Sequence, residues 1–417
     1  MRIHNMENRN IRRFRVLHGP HDVGGNAYYL AKGEREYGFD SRNLVYSKQW
    51  FGYPADFDLK IKQDANPMRY LRWWLKMAQI ALTYDVLHFN FGGSFLTYYP
   101  HRWVFADLQL WRSLGMPTYV TFQGCDSRIS SYVLSNLDIQ LCENCRSRDL
   151  CGNGYNWFKQ EIILQAQRYF DKIFVLNPDL LHNIPGGQFL PYANCDLDEW
   201  RPPGDYDWHH SGPVRVLHAP TWRELKGTDA IIAAVESLKA EGENVELVLI
   251  EKIPHDRVRT LYESADLLVD QLIAGWYGGL AVELMALGKP VVAYLREGDL
   301  CFIPPAMKAD LPVVSATAET LKPVLRGLIR NRDRLKEIGR KSRSFVETWH
   351  HPRVVAKITT DAYGYALAKR PPIRGKINRL RTIKTVAGPM TRIFITIFRS
   401  TWLPLVLMRR LLRRGAT

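Results

Sequence analysis

From Phe14 onward the chain alternates short runs of β-branched and aromatic residues with longer segments of helical period, and the alternation runs twice through its 417 residues. Strands are predicted at 14–18 (FRVLH), 42–47, 85–90 (DVLHFN), 117–122, 172–176 and 187–192, with helices such as 26–37, 67–82 and 157–170 between them. This alternation leaves few options. Each strand feeds a crossover that lays the next strand beside it, which builds a parallel sheet covered on both faces. The stretch RPPGDYDWHHSGP, residues 201–213, breaks the rhythm with Pro, Gly and polar residues, as an interdomain linker does. The rhythm then restarts with strands at 214–218, 245–250, 267–270, 290–294 and 312–315. Helices lie near 228–241, 256–264, 279–287 and 318–330, and helices around 332–347 and 352–368 close the set. The expected fold class is α/β, with two facing doubly wound, Rossmann-like domains over 1–200 and 214–368. Sheets of this kind bind ligands beyond the carboxyl ends of their strands, so a pair of them places a site in the cleft between.

Charge divides the chain differently. The formal net charge is +15, yet from Lys369 to the C-terminus there are thirteen Lys and Arg and no Asp or Glu, leaving 44 basic against 42 acidic side chains in the first 368 residues. A near-neutral body thus carries a basic appendage, 369–417, and nucleic acid is not an expected partner. In MTRIFITIFRSTW the residues Met390, Ile393, Phe394, Ile397, Phe398 and Trp402 share a helical stripe, with Arg392 and Arg399 off it. Ile377, Leu380 and Ile383 repeat the design upstream. A basic amphipathic helix lies in the headgroup plane of an anionic membrane; the other reading is a helix packed on the protein's own body. No segment suits a secretory signal or a spanning helix, so the expectation is a cytoplasmic protein, peripheral at the inner face of the membrane.

Four of the six cysteines, Cys125, Cys142, Cys145 and Cys151, sit in a polar insertion at 125–151 that contains CENCRSRDLC. Zinc held tetrahedrally by four thiolates would order such a loop; free thiols are the other reading. Cys195 and Cys301 read as isolated core or loop residues.

The most informative segment is DQLIAGWYGGLAVELMALGKPVVAY, Asp270 to Tyr294. A strand ends near Asp270, the following loop carries Gly275, Gly278 and Gly279, and a helix then runs to Leu287. Glycines ahead of a helix let backbone amides approach a phosphate, and a glutamate one turn in, Glu283, can accept hydrogen bonds from vicinal hydroxyls such as those of a ribose. The segment resembles the nucleotide-sugar motif of retaining GT-B glycosyltransferases (group 1, family 4-like), in which Glu-x7-Glu precedes AMAxGxPVV. The second Glu matches Glu283, before LMALGKPVV; the first is replaced by Gly275. The resemblance assigns Glu283 to the donor ribose, keeps Gly278 of the motif and places Tyr277 and Gly279 where backbone amides would meet phosphates.

A second match, LHAPTWRELKGTDAIIAAVESL (217–238), is similar to the family element whose Arg and Lys neutralise the donor diphosphate. It implies that role for Arg223 and Lys226. In the N-terminal half, LHGPHDVGGNAYYLAKGEREYGFD resembles the family's first strand, glycine loop and helix, with Gly24 and Gly25 facing diphosphate and acceptor. Family histidines are replaced by Asn90 and Gln123, so no general base is evident; His21, His88 and Asp126 are the candidates, with a diphosphate oxygen as the alternative proton acceptor. The implied chemistry is transfer of a sugar, with retention, from a UDP- or GDP-sugar to a glycan or lipid-linked acceptor of cell-surface polysaccharide or glycolipid assembly, with no cofactor required. The competing readings are a nucleotide-sugar epimerase or hydrolase, and a non-catalytic scaffold of the same fold.

Overall fold

The computed structural model describes residues 14–47, 52–60, 67–97, 104–204, 207–370, 372, 373, 375, 377–383 and 385. Within them lie two sheets in which every strand pairing is parallel. The N-terminal sheet holds β1 (Arg15–Gly19), β2 (Asp40–Val45), β3 (Phe57–Asp58), β4 (Val86–Asn90), β5 (Thr118–Phe122), β6 (Lys172–Val175) and β7 (Gln188–Phe189), ordered β3-β2-β1-β4-β5-β6-β7. The C-terminal sheet holds β8 (Val214–His218), β9 (Val245–Leu249), β10 (Leu267–Val269), β11 (Val291–Ala293) and β12 (Val314–Ser315), ordered β12-β11-β10-β8-β9. All eleven predicted strands are present; β3, a two-residue edge strand without an apolar run, is an addition. Helices on both faces bury β4 and β5 at every position, which is why VLHFN and TYVTF lack the polar alternation of a half-exposed strand.

The chain passes between the domains twice, and both passages differ from the sequence expectation. Leu190 and Ala193 pack in the N-terminal core whereas Cys195, Leu197 and Trp200 pack in the C-terminal one, so the first passage is at Asn194, ahead of 201–213. PYANCDLDEW supplies apolar side chains to both cores in turn; within the Pro/Gly stretch that follows, Trp208 already lies against the C-terminal domain. The helix Pro352–Lys369, expected to close the C-terminal domain, instead covers the N-terminal sheet. Its Val355, Ala356, Tyr363, Ala366 and Leu367 join Val16, Leu30, Val86 and Tyr119 in one core. Gly33 in the helix Asn26–Glu36 permits the approach, since a Cβ there would overlap the Pro352 carbonyl.

A buried polar hub ties this returning helix down. Glu34 accepts from His18 Nε2 (2.8 Å), Ser41 Oγ (2.6 Å), Thr359 Oγ1 (2.7 Å) and Tyr363 Oη (2.9 Å). Because Tyr363 gives its proton to the carboxylate, it accepts from His88 Nδ1 at 2.5 Å, which leaves His88 Nε2 to accept from Thr121 at 2.6 Å. His88 is thus a core residue held neutral by burial, its pKa pushed well below the usual value. His18, Glu34 and His88 also form, among the described residues, the one trio of metal-capable groups whose ligand atoms lie within 4.8 Å of one another. Their hydrogen bonds account for the arrangement without an ion.

Of the basic tail, the described part is docked on the body. Arg379 is buried and donates to Asp85 (2.7 Å) and to the carbonyls of Ala81, Tyr84 and Ile373, while Arg370 pairs with Asp171 at 2.9 Å. Ile383 lies against the N-terminal core, but Ile377 and Leu380 remain 68% and 43% exposed. Met390, Ile393, Phe394, Ile397, Phe398 and Trp402 lie outside the described residues. No helix among the described residues is long and apolar enough to cross a membrane.

Candidate active site

The C-terminal motif folds into a compact set of groups at the carboxyl edge of its sheet. Glu283 lies in the helix Gly279–Ala286 and is buried. Its Oε1 accepts from Tyr53 Oη (2.9 Å), pairs with His255 Nε2 (3.0 Å) and receives a longer bond from Asn194 Nδ2 (3.4 Å). Asn194 also donates to the Gly279 carbonyl at 3.0 Å. A Cβ on Gly279 would stand 3.0 Å from the same amide nitrogen, so the glycine makes room for the residue at which the chain changes domains.

One residue upstream, the Gly278 amide donates to Asp270 Oδ2 at 2.7 Å, and Lys226 Nζ binds Asp270 Oδ1 at 2.8 Å. Glu283, Gly279, Gly278, Asp270 and Lys226 therefore form a continuous line. Gly227, at φ +75°, ends the one-turn helix Arg223–Lys226. The Lys226 ammonium, expected to face a diphosphate, and the Gly278 amide, which lies between the two amides expected to do so, have the buried Asp270 carboxylate as partner in this conformation.

Arg223 is not part of that line. It is half-exposed and makes a two-pronged pair with Glu251, at 2.8 and 2.7 Å. Tyr277 belongs to the core: its hydroxyl bonds His350 Nε2 at 2.8 Å, and burial holds that imidazole near pKa 4, with Nδ1 on the Tyr192 carbonyl. Gly275 has φ +81°, and the Arg296 guanidinium covers its open face, with Nη1 2.6 Å from where a Cβ would stand. Arg296 pairs with Asp299 (2.9 Å) and reaches the Ile139 carbonyl across the cleft. At the position of the family's first carboxylate, this chain has a bare backbone under a cation.

In the N-terminal domain Gly24 and Gly25 take φ +66° and +72° ahead of the helix Asn26–Glu36. The amides at that helix start, Ala27 and Tyr28, already donate to the Asp22 carboxylate, both at 3.0 Å. Burial pushes Asp22 up to about 7 against those two bonds. Gly25 nonetheless borders the site, because it packs against the Tyr53 ring. His21 and Asp126 flank the Gly92–Gly93 loop after β4. Burial lowers His21 to about 4 and raises Asp126 to about 6. The Asp126 carboxylate accepts the amides of Gln123 (3.0 Å) and Gly124 (2.6 Å), so it caps a turn.

The four insertion cysteines are free thiols with separate partners. Cys125 Sγ faces Arg128, Cys145 Sγ accepts the Ser147 amide (3.4 Å), Cys151 Sγ accepts from Lys159 (3.4 Å), and burial pushes the Cys142 thiol up to about 11. Among the described residues no three of these Sγ atoms lie within 4.8 Å of one another, while Cys125 and Cys145 lie near enough to Cys142 for their charges to act on its thiol. Cys195 is buried in the C-terminal core and Cys301 exposed. The groups that sequence reasoning missed are Tyr53, Asn194, His255, Asp270 and Arg296. Only Asp270, at a strand end, carried a positional signal.

No protein-family model matches the sequence, and no curated protein matches it significantly. Solved structures do. Sucrose-phosphate synthase from Thermosynechococcus elongatus aligns at TM-score 0.55 and 15% identity, over 86% of this chain and all of its own. HepE from Anabaena, in complex with UDP and glucose, aligns at 0.56 and 11%, over 85% and 100%. A glycosyltransferase from Rickettsia africae aligns at 0.53 and 14%, over 85% and 99%. At these identities the likeness concerns architecture: two parallel-sheet, Rossmann-like domains facing one cleft, the fold of the GT-B glycosyltransferases.

Proposed function

We propose that this protein is a glycosyltransferase that moves a sugar, with retention, from a nucleoside diphosphate donor to a glycan or lipid-linked acceptor. The observation that carries the reading is Glu283: a buried carboxylate beside the Gly278–Gly279 helix start and Lys226, in the cleft of a GT-B fold. The complexes of HepE with UDP and with UDP-glucose are consistent with a uridine donor.

In this reading Glu283 accepts ribose hydroxyls. Lys226 turns from Asp270 toward the diphosphate, where negative charge builds as the glycosidic bond loosens; a cation placed there stabilises the transition state more than the ground state. Burial lowers His21 to about 4, and Asp126 already accepts two backbone amides, so neither is assigned as the base in this reading. The acceptor's proton therefore passes to a diphosphate oxygen. Arg223 would have to leave Glu251 to assist.

Titration of UDP and GDP into the full-length protein tests the donor site. Glu283→Ala removes charge-assisted bonds and is expected to weaken binding ~10- to 100-fold. Equal affinity in wild type and variant, with far-ultraviolet dichroism unchanged, would refute the assignment. Product analysis without acceptor separates transfer from epimerisation or hydrolysis. The non-catalytic reading draws on Gly275 and Arg296 at the first carboxylate's position, and it requires that no donor is consumed with any glycan or lipid extract.

The tail belongs to the same proposal. Because 377–383 is anchored through Arg379, the membrane-binding segment is 386–417, with Ile377 and Leu380 at its root. Truncation after Thr385 is expected to abolish cosedimentation with anionic liposomes and to spare nucleotide binding. A truncated protein that still cosediments would rule the tail out as the anchor.

A further inference from the structure

One oxygen of the carboxylate that the donor ribose is proposed to use is already engaged. Tyr53 comes from the segment between β2 and β3, crosses the cleft and donates to Glu283 Oε1 at 2.9 Å. Its ring lies on the face of His255, with centroids 4.2 Å apart and 29° between planes, and His255 is backed by Trp200 at 5.3 Å. On its other side stands the glycine loop: a Cβ on Gly25 would come within 2.7 Å of Tyr53 Cδ1. The ring is wedged between the two domains.

A flat ring on an aromatic face, with a hydroxyl delivered to a buried carboxylate, offers the protein what a nucleoside offers: a base to stack and a ribose hydroxyl to bind. The match extends to valence. An oxygen has two lone pairs, and Oε1 already serves Tyr53 and His255, with Asn194 at longer range. Oε2 accepts from none of the described residues, so the contest is for Oε1: a pair of vicinal hydroxyls that spans both oxygens has to displace one of these donors. Tyr53 is the one from the opposite domain, and residues 52–55 carry no regular secondary structure to hold it. Burial and the Glu283 charge keep the phenol protonated, so it remains a donor throughout the neutral range.

We propose that Tyr53 is an internal stand-in for the donor nucleoside: it must leave Glu283 and His255 before a nucleotide binds, and the His255 face that it vacates is the platform for the base. The inference rests on the nucleotide-sugar reading of Glu283 and adds to it a competitor and a base-contacting residue. Apparent affinity is the intrinsic affinity reduced by the fraction of molecules in which Tyr53 is out.

The test is calorimetric titration of UDP and GDP into wild type, Tyr53→Ala, Tyr53→Phe and the double variant Tyr53→Ala with His255→Ala, each as the full chain. If Tyr53 is out in about a tenth of the molecules, Tyr53→Ala tightens binding about tenfold. Tyr53→Phe keeps the stack, loses the bond to Glu283 and is expected to fall between. The double variant loses the platform and is expected to bind more weakly than Tyr53→Ala alone. Should Tyr53→Ala fail to fold, tightening or no tightening in Tyr53→Phe decides. Binding that depends on Glu283 but is unchanged or weakened when Tyr53 is replaced would overturn the stand-in and leave the donor site intact. No nucleotide binding by wild type or by either Tyr53 variant would overturn both.

Discussion

Glu34→Ala is expected to lower the free energy of unfolding by roughly 3 to 5 kcal/mol, as breaking a buried charged network does. The variant strands His18 Nε2, Ser41 Oγ and the Tyr363 hydroxyl without an acceptor, since His88 Nδ1 donates to Tyr363, whereas Thr359 retains the Ala356 carbonyl at 3.1 Å. The loss falls where two parts of the chain far apart in sequence meet, so the helix Pro352–Lys369 should loosen first, and its amides should lose hydrogen-exchange protection ahead of the C-terminal domain. Urea unfolding gives the magnitude; a variant within about 1 kcal/mol of wild type would show that the hub is dispensable. Acid adds a second reading. Burial alone would raise the Glu34 pKa, but the charge of His18 and the bonds from His18, Ser41 and Thr359 outweigh it, and the carboxyl is held below its ordinary 4.5. A folded pKa below the unfolded one means that stability is fully present above about pH 4.5 and is lost as pH falls through the folded value. Wild type and Glu34→Gln should therefore converge in stability on acidification below that point.

Restoring the family's first carboxylate with Gly275→Glu is expected to destabilise the protein by ~1–2 kcal/mol instead of raising activity. The cost comes from a side chain at φ +81°, whereas the Arg296 guanidinium, the end of a flexible side chain, can shift cheaply from where the Cβ would stand. Adding Arg296→Ala should leave most of the loss in place, because the backbone part remains. Thermal unfolding of the single and double variants measures both. A Gly275→Glu protein as stable as wild type would mean that the loop relaxes freely and that the glycine is incidental. The position matters for reading the motif: an alignment registers a missing acid, while the structure holds a cation whose access depends on the missing side chain.

The two sheets were legible in the sequence because parallel strands are buried on both faces and read as unbroken apolar runs, and because helix period separates them. The destination of the helix Pro352–Lys369 was not legible. Its periodicity announces an apolar face but not which of two sheets receives it, and the signals that decide, a glycine at 33 and a glutamate at 34, lie more than 300 residues upstream. The candidate site divides in the same way. Glu283, Lys226 and the glycines sit at fixed offsets within continuous segments, so spacing finds them. Tyr53 lies 230 residues from its partner Glu283 in a segment without period, and Arg223 could be recognised as a cation but not as one already paired with Glu251. Cysteine spacing suggests a tetrathiolate, and Cys142 does lie near Cys125 and Cys145; what spacing does not show is the contacts of the Sγ atoms with Arg128, Lys159 and the Ser147 amide.

The returning helix also bears on the order in which the protein can be made. Residues up to Ala193 leave the ribosome with one face of their sheet, including Val16, Val86, Tyr119 and Phe174, lacking the helix that covers it, and with Glu34 lacking two of its donors. The C-terminal domain, from Cys195 to about His350, is continuous and emerges whole before that helix does. At about 5–20 residues per second the wait is on the order of 10 to 30 s. The domain begun first is thus completed last, and for that interval the nascent chain presents an apolar sheet face of the kind that chaperones hold.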